Sequence, residues 1–392
     1  MKKKIAIIHD KMNLGGTEKA LITMLKFLDY QKLDVTLWLM DGTGLLQPEI
    51  DPHVCVRYFS NDTFDGKSLL AYYLKTFQFG RLIRSMRYRK KSREYINNFE
   101  DNLKYHIYSL PLITDEVYDC VIVYQGLYIQ LLATAAGRFK AKKKAAWIHM
   151  KFRHTPEQIV SFKEEYVSFD RIFCVSDDLK KHFISHYGME EKTETLYNLF
   201  DMEQIRNLAE EPVEWYGEDK TVLCTVGRIS SEKGQMMIPD IAADLKNKGF
   251  DFVWLVLGDG QQKQELADRV KSCGLEKNVI LAGNKVNPYP YIKNCSIYVQ
   301  TSLSEGFCTS TMEAKILGKP VVTTNVAGMK EQFTDGYDAL VVDSFEPHDI
   351  AGKLEQLMES ENLRKEFSVN TLHSLEAFVT DSADRIYEYL CA

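Results

Sequence analysis

The chain reads as an α/β protein built from two doubly wound parallel sheets, each a Rossmann-like domain. Three observations lead there. Its 392 residues suffice for two domains with separate cores. Apolar runs of strand length alternate along the chain with stretches of helical spacing, the pattern of buried parallel strands joined by crossover helices. Every chemically suggestive motif falls just after a strand run, where such sheets bind ligands.

In the first half, the strand candidates are Ile5–His9, Asp34–Met40, Val117–Val123, Ala145–Met150, Arg171–Val175 and Thr193–Tyr197. Helical spacing covers Thr17–Leu28, Pro156–Tyr166 and Asp178–Tyr187, the last with Ser176 or Asp177 as N-cap. The second half repeats the scheme with Thr221–Val226, Phe252–Leu257, Val279–Ala282, Ser296–Gln300, Pro320–Thr324 and Ala339–Val342. The charged, proline-containing segment Ala209–Trp215 reads as the hinge. The expected division is residues 1–205, residues 206–375, and a C-terminal helix within 376–392 that packs back on the first domain.

Composition is that of a folded globular protein, 45% apolar and 27% charged. Met1-Lys2-Lys3-Lys4 leads directly into a five-residue apolar run, too short for a signal-peptide core, and no apolar stretch of spanning length occurs. The eight cysteines are scattered singly, as expected of reduced core thiols in a cytoplasmic protein. The net charge of −6 is uneven: residues 1–200 sum to +6 and the remainder to −12. Arg81–Arg93 contains seven basic residues and no acidic one, with Leu82, Ile83 and Met86 at helical spacing. Such a helix can lie on an anionic bilayer, giving peripheral contact with the inner face of the plasma membrane; it can equally be a solvated helix whose apolar residues pack inward. The acidic chain has no nucleic-acid motif, so no nucleic-acid partner is expected.

Glu305 and Glu313 are the most informative pair. Glu305 lies in the loop between the strand Ser296–Gln300 and a helix from Thr309 to Leu317; Glu313 sits on that helix. Free N–H groups and the helix dipole make the loop an anion site, and carboxylates beside an anion suit hydroxyls on either side of a phosphate. That combination describes a nucleotide sugar. After the strand Thr221–Val226, Gly227-Arg228-Ile229-Ser230-Ser231-Glu232-Lys233-Gly234 offers two cations to a diphosphate. The first β–α loop carries Gly15-Gly16, where backbone can approach a ligand and Thr17 can cap the helix. His149 ends a strand and could hydrogen-bond a sugar hydroxyl, though a lone histidine there is as often structural. Gly258-Asp259-Gly260 reads as a tight turn. No Asp-x-Asp pair is present, so Arg228 and Lys233 would neutralise the diphosphate and no divalent metal is expected.

These residues together resemble the family 4 glycosyltransferases, retaining enzymes of the GT-B fold. The family's E-x7-E motif matches Glu305 and Glu313, and its G-R-x-x-x-x-K-G segment matches Gly227, Arg228, Lys233 and Gly234. Its G-G-x-E loop matches Gly15, Gly16 and Glu18; its N-domain histidine looks like His149 and its strand-closing asparagine like Asn198. The resemblance covers nearly the whole chain and is most specific over residues 221–343. Cys308 and Asp338 depart from it, standing where the family commonly has glycine.

The resemblance implies two domains facing across a cleft and transfer of a hexose-type sugar from a nucleoside-diphosphate sugar, with UDP the first expectation. The acceptor would be a hydroxyl of a glycan or lipid-linked molecule. Glu305 would bind the donor sugar and Glu313 the ribose. Arg228 and Lys233 would hold the diphosphate, with Gly227 and the backbone of Gly306, Phe307, Cys308 and Thr309 beside it. Lys285 and Val286 would meet the base, Gly15 and Gly16 the diphosphate and acceptor, and His149 the transferred sugar. A GT-B hydrolase or epimerase, a catalytically silent partner subunit and a pure binding protein are the rival readings.

Overall fold

The computed structural model describes residues 1–59, 66–214, 220–378 and 381–392. They form two units, Met1–Tyr197 with Ser382–Ala392, and Asn198–Asp381. Trp215, the end of the expected hinge, lies outside the described residues.

The first unit holds seven parallel strands: β1 (Lys3–His9), β2 (Leu33–Leu39), β3 (Cys55–Tyr58), β4 (Val117–Val123), β5 (Lys140–Ile148), β6 (Arg171–Cys174) and β7 (Thr193–Thr195). Their order is β3-β2-β1-β4-β5-β6-β7, so connections reverse direction between β1 and β4. The central strands are covered on both faces; Ile5, Ala6, Ile7 and Ile8 are all fully buried. β3 was not expected, because this edge strand is half exposed and lacks an apolar run. β5 begins five residues before the expected Ala145. Its lysine-rich start still pairs with β4, and Lys142 reaches Asp119 at 2.7 Å. Those charges hide the strand from a hydrophobicity reading.

The first helix, Gly16–Lys26, has Gly15 at its N-cap and no side-chain cap, so Thr17 lies inside it and does not cap it. Ser176 caps Asp177–Tyr187 by accepting the Leu179 N–H. The basic helix is Phe79–Glu94; of its two readings, inward packing of the apolar residues fails for Ile83 and Met86, while Leu82 is half-buried. The helix packs on Phe99–Ser109 through Ser85, whose hydroxyl donates to Ser109 O at 2.6 Å, and Ser92, which donates to Asn102 O. Ile83 and Met86 are left 55% and 62% exposed. The C-terminal helix Ser382–Cys391 joins this unit: Ile386 and Leu390 are buried, and Arg385 pairs with Glu194 at 3.0 Å.

The second unit has six parallel strands: β8 (Thr221–Val226), β9 (Phe252–Leu257), β10 (Val279–Gly283), β11 (Ile297–Gln300), β12 (Val321–Thr324) and β13 (Ala339–Val342). Their order is β10-β9-β8-β11-β12-β13, with the reversal between β8 and β11. Trp254 anchors the core among Leu223, Val256, Ile297 and Leu354, and its ring N–H donates to Thr225 Oγ1 at 3.0 Å. The boundary falls before residue 198, not after residue 205. The helix Met202–Leu208, capped by Asp201, packs against Tyr289–Asn294 and Thr309–Ile316 of the second unit. Among the described residues, no helix is long and apolar enough to cross a membrane.

Candidate active site

Doubly wound sheets bind ligands where the strand order reverses. In the second unit that point lies between β8 and β11, and the loops following both strands carry the expected site residues. The two loops are fastened together. The Leu303 and Ser304 N–H groups donate to Glu232 O at 2.8 and 3.1 Å, and Thr301 Oγ1 donates to Lys233 O at 3.1 Å. Gly234 adopts φ +65°, and a Cβ there would stand 2.1 Å from Thr301 O. Gly258 and Gly260, expected to be a simple turn, brace the β8 loop from its other side. Cβ atoms on them would meet Gly227 O at 1.9 Å and Ile229 O at 2.2 Å.

This fastening brings Lys233 and Glu305 into contact across 72 residues of sequence, Nζ to Oε1 at 2.6 Å. Neither group stands free: each is the other's counter-ion. Burial alone would lower the Lys233 ammonium, but the Glu305 carboxylate outweighs it and holds the group up at about 12. Glu305 also accepts from Ser302 Oγ at 2.6 Å, Ser302 from Gln300 Nε2 at 2.7 Å, and Gln300 Oε1 from Tyr298 Oη at 3.1 Å. A chain of polar side chains rooted in β11 thus sets the carboxylate's position. A lysine loosened from this pair by a diphosphate would leave Glu305 free to accept from hydroxyls.

Glu313 lies on the helix Thr309–Ile316, is 4% exposed, and accepts from Tyr289 Oη at 3.1 Å. The helix has Cys308 at its N-cap with no side-chain cap, so its first N–H groups face the loop bearing Gly306 and Phe307. Phe307 is buried against Phe200 and Phe378, with ring centroids 6.3 and 6.0 Å away. Cys308 is buried beside Val326 and Met329, its thiol 3.3 Å from Ser310 Oγ. Burial, then the Glu305 charge, pushes that thiol's pKa up, which makes it an inert packing group. Asp338, the other departure from the family pattern, has a definite partner. It pairs with buried Lys315 at 2.9 Å and accepts the Thr334 N–H at 2.7 Å. Lys315 belongs to the Glu313 helix, so the pair ties that helix to the loop before β13.

Arg228 is exposed beside Gly227, directly after β8. Lys285 lies over the Tyr291 ring at 5.5 Å, and Val286 is 62% exposed after β10. Thr309 is partly exposed at the start of its helix. The second unit therefore gathers Gly227, Arg228, Lys233, Glu305, Gly306, Phe307, Cys308, Thr309 and Glu313 around two fastened loops and one helix. Among the described residues, no group of three or more His, Cys, Asp or Glu side chains could hold a metal ion.

Gly15, Gly16 and His149 belong to the first unit. His149 follows β5 with its ring 4.6 Å from Tyr124 and Nε2 buried without a partner. Burial, then the neighbouring His9, lowers its pKa to about 3, so the imidazole is neutral at physiological pH. Sequence reading missed His9, which ends β1 fully buried with neither ring nitrogen partnered. Its position at the end of a strand was the available signal.

Solved structures share this architecture across whole chains. The chain superposes on the Anabaena protein Alr3699/HepE, solved with UDP and glucose, at a TM-score of 0.74 and 19% identity, covering 99% of both chains. A single-residue mutant of Staphylococcus aureus TarM, solved with UDP, fondaparinux and α-GlcNAc-glycerol, gives a TM-score of 0.74 at 14% identity, again over 99% of both chains. The fold is GT-B. Residues 210–373 match the family model described as "Glycosyl transferases group 1", so the GT-B second unit carries the family signal. A Campylobacter jejuni N-acetylgalactosaminyltransferase acting on a diphospho-undecaprenol-linked sugar is 31% identical over 188 residues, 48% of this chain and 50% of that protein. The S. aureus capsular polysaccharide glycosyltransferase CapM is 28% identical over 211 residues, 51% and 55% of the two chains. The chain spans about half the length of these relatives, 42% to 55% of the first three.

Proposed function

We propose that this protein is a retaining family 4 glycosyltransferase. It would move a hexose-type sugar from a nucleoside-diphosphate sugar, UDP-linked, to a hydroxyl of a glycan or lipid-linked acceptor in polysaccharide or glycoconjugate synthesis. The observation that carries this reading is the Lys233–Glu305 contact at 2.6 Å, held where β8 and β11 diverge and beside an uncapped helix N-terminus. A cation and helix-end N–H groups suit a diphosphate; the adjoining carboxylate suits the sugar hydroxyls next to it. Similar proteins named for polysaccharide and lipid-linked transfer, and neighbours solved with UDP, support the same assignment.

Lys233 and Arg228 would stabilise charge on the departing diphosphate, in place of a metal. Glu305 would orient the donor sugar, Glu313 the ribose, and Lys285 and Val286 would flank the base. The acceptor hydroxyl would approach the face that the diphosphate leaves and pass its proton to the departing phosphate oxygen. No side chain need attack the sugar, and catalysis is mostly positioning.

Incubation with a panel of nucleotide sugars and polyprenyl-diphosphate-linked or oligosaccharide acceptors, with product analysis, tests the assignment. Transfer with the donor's anomeric configuration kept, undiminished by EDTA, is expected. Exclusive release of free sugar would make the protein a hydrolase, and no turnover of any donor would leave it a silent or binding subunit.

A second observation supports an acceptor at a membrane surface. Leu70, Leu74, Phe79, Ile83 and Met86 are exposed on consecutive helices of the basic first unit, and Phe77, in the turn between them, is 81% exposed. Arg84, Arg87 and Lys90 are exposed on the same helix as Ile83 and Met86. Apolar residues among cations suit the interface of an anionic bilayer, here the cytoplasmic leaflet.

A further inference from the structure

The Glu313 carboxylate is held from a second helix. Tyr289 opens the helix Tyr289–Asn294, which packs on the Thr309–Ile316 helix that carries Glu313. Both residues are buried, at 8% and 4% exposure, and the Tyr289 hydroxyl donates to Glu313 Oε1 at 3.1 Å across 24 residues of sequence. Towards a carboxylate a phenol hydroxyl acts as donor, and a hydrogen bond to an ionised group is among the stronger kinds. Glutamate has several side-chain torsions, so without such a partner its carboxylate would be spread over several rotamers. Tyr289 belongs to none of the motifs that carry the family resemblance.

Tyr289 is itself fixed from behind. Its backbone N–H donates to Asn287 Oδ1 at 3.1 Å, and Asn287 Nδ2 donates to Leu208 O and to Glu211 Oε2, each at 2.8 Å. Lys293, in the last turn of the same helix, reaches Glu210 at 2.5 Å. Residues 284–288 lead from β10 directly into this helix, so the loop bearing Lys285 and Val286 is anchored where Tyr289 begins. Tyr291, two residues on, lies beneath the Lys285 ammonium at 5.5 Å. One helix therefore supports both places where the second unit would meet a nucleoside: Lys285 and Val286 for the base, Glu313 for the ribose.

We propose that Tyr289 is a positioning residue that holds Glu313 ready for the ribose hydroxyls of the donor nucleotide, and so makes nucleotide affinity depend on the ribose. The proposal rests on the glycosyl-transfer reading, in which Glu313 takes the ribose; the tyrosine itself need not touch the nucleotide. A carboxylate already fixed in place loses little rotamer freedom when the hydroxyls arrive, so its hydrogen bonds count almost fully towards affinity. A nucleotide without those hydroxyls gains nothing from the arrangement, because it desolvates Glu313 and gives it no new partner.

Calorimetric titration of the full chain tests this with UDP, ADP and GDP, then with the 2′,3′-dideoxy form of whichever binds, and with inorganic pyrophosphate. The wild type should bind the ribonucleotide about tenfold or more tightly than its dideoxy form, as one charge-assisted bond implies. Tyr289→Phe keeps the ring and removes only the hydroxyl. It should close most of that gap by weakening the ribonucleotide, with the dideoxy form and pyrophosphate unchanged. Glu313→Gln should narrow the same gap, and adding Tyr289→Phe to it should lower ribonucleotide affinity no further. A Tyr289→Phe variant that weakens both nucleotides equally, as a merely structural role would, overturns the proposal; so does one that keeps the wild-type gap. Equal wild-type affinity for the two forms overturns it as well, by removing ribose from the role of Glu313. These outcomes leave glycosyl transfer standing, whereas failure of the wild type to bind any of the three nucleotides overturns that reading and the proposal with it.

Discussion

At the scale of single residues, electrostatics at the two reversal points differ in kind. In the second unit a lysine and a glutamate are paired; in the first, a neutral histidine, His149, lies beside a second, His9. Lys233 keeps its proton because Glu305 outweighs burial. Its raised pKa contributes stability that is fully present below the ordinary 10.5 and is lost as pH rises through about 12. His149 has the opposite sign. Its folded pKa near 3 lies below the ordinary 6.5, so the unfolded chain binds the extra proton first. Stability should fall as pH drops from 6.5 towards 3, and His149→Gln should flatten that fall. Chemical unfolding at a series of pH values checks this; identical profiles for both proteins would mean that His149 is not held neutral by its surroundings.

At the scale of elements, the helix Thr309–Ile316 is held at both ends. Its first turn adjoins the Glu305 loop, and Lys315 near its last turn reaches Asp338. Both partners are at most 2% exposed, so removing one leaves a buried, unpaired charge. Asp338→Ala should cost roughly 3–5 kcal/mol, and adding Lys315→Met should restore much of the loss. Denaturant melts of the single and double variants measure the coupling; additive losses would show that the pair does not act as a unit.

The same elements show what could be read from the chain. Strand, loop and helix around Glu305 were legible because β11 is a short apolar run and the following helix stops at Gly318. The Lys233–Glu305 contact was not, since it joins residues in the loops after different strands and depends on backbone bonds that Leu303 and Ser304 donate to Glu232. Gly258 and Gly260 read as a turn, because the backbone they press against lies more than twenty residues away. β3 and the start of β5 escaped notice for the opposite reason: polar, partly exposed strands carry no apolar signature. The Asp338 departure became intelligible only when folding placed Lys315 beside it.

At the scale of the whole molecule, the charge division between the halves acquires a location. The basic excess of residues 1–200 includes the helix Phe79–Glu94, whose exposed apolar residues are unusual for a surface bathed only in water. Binding to vesicles containing anionic phosphatidylglycerol should exceed binding to phosphatidylcholine vesicles and weaken with salt. A Phe77→Ser, Ile83→Ser, Met86→Ser variant should lose most of it while its unfolding curve stays unchanged, since none of the three side chains is buried. Undiminished vesicle binding by that variant would remove this surface from consideration.

The central claim is that the loops after β8 and β11 grip a nucleoside diphosphate through Lys233 and helix-end N–H groups without a metal. Calorimetric titration of UDP into the wild-type chain and Lys233→Ala, each with and without EDTA, addresses it most directly. Binding to the wild type that EDTA leaves intact, weakened about tenfold or more in the variant, is the expected result. Equal UDP affinity in both proteins, or binding that vanishes with EDTA, would contradict it.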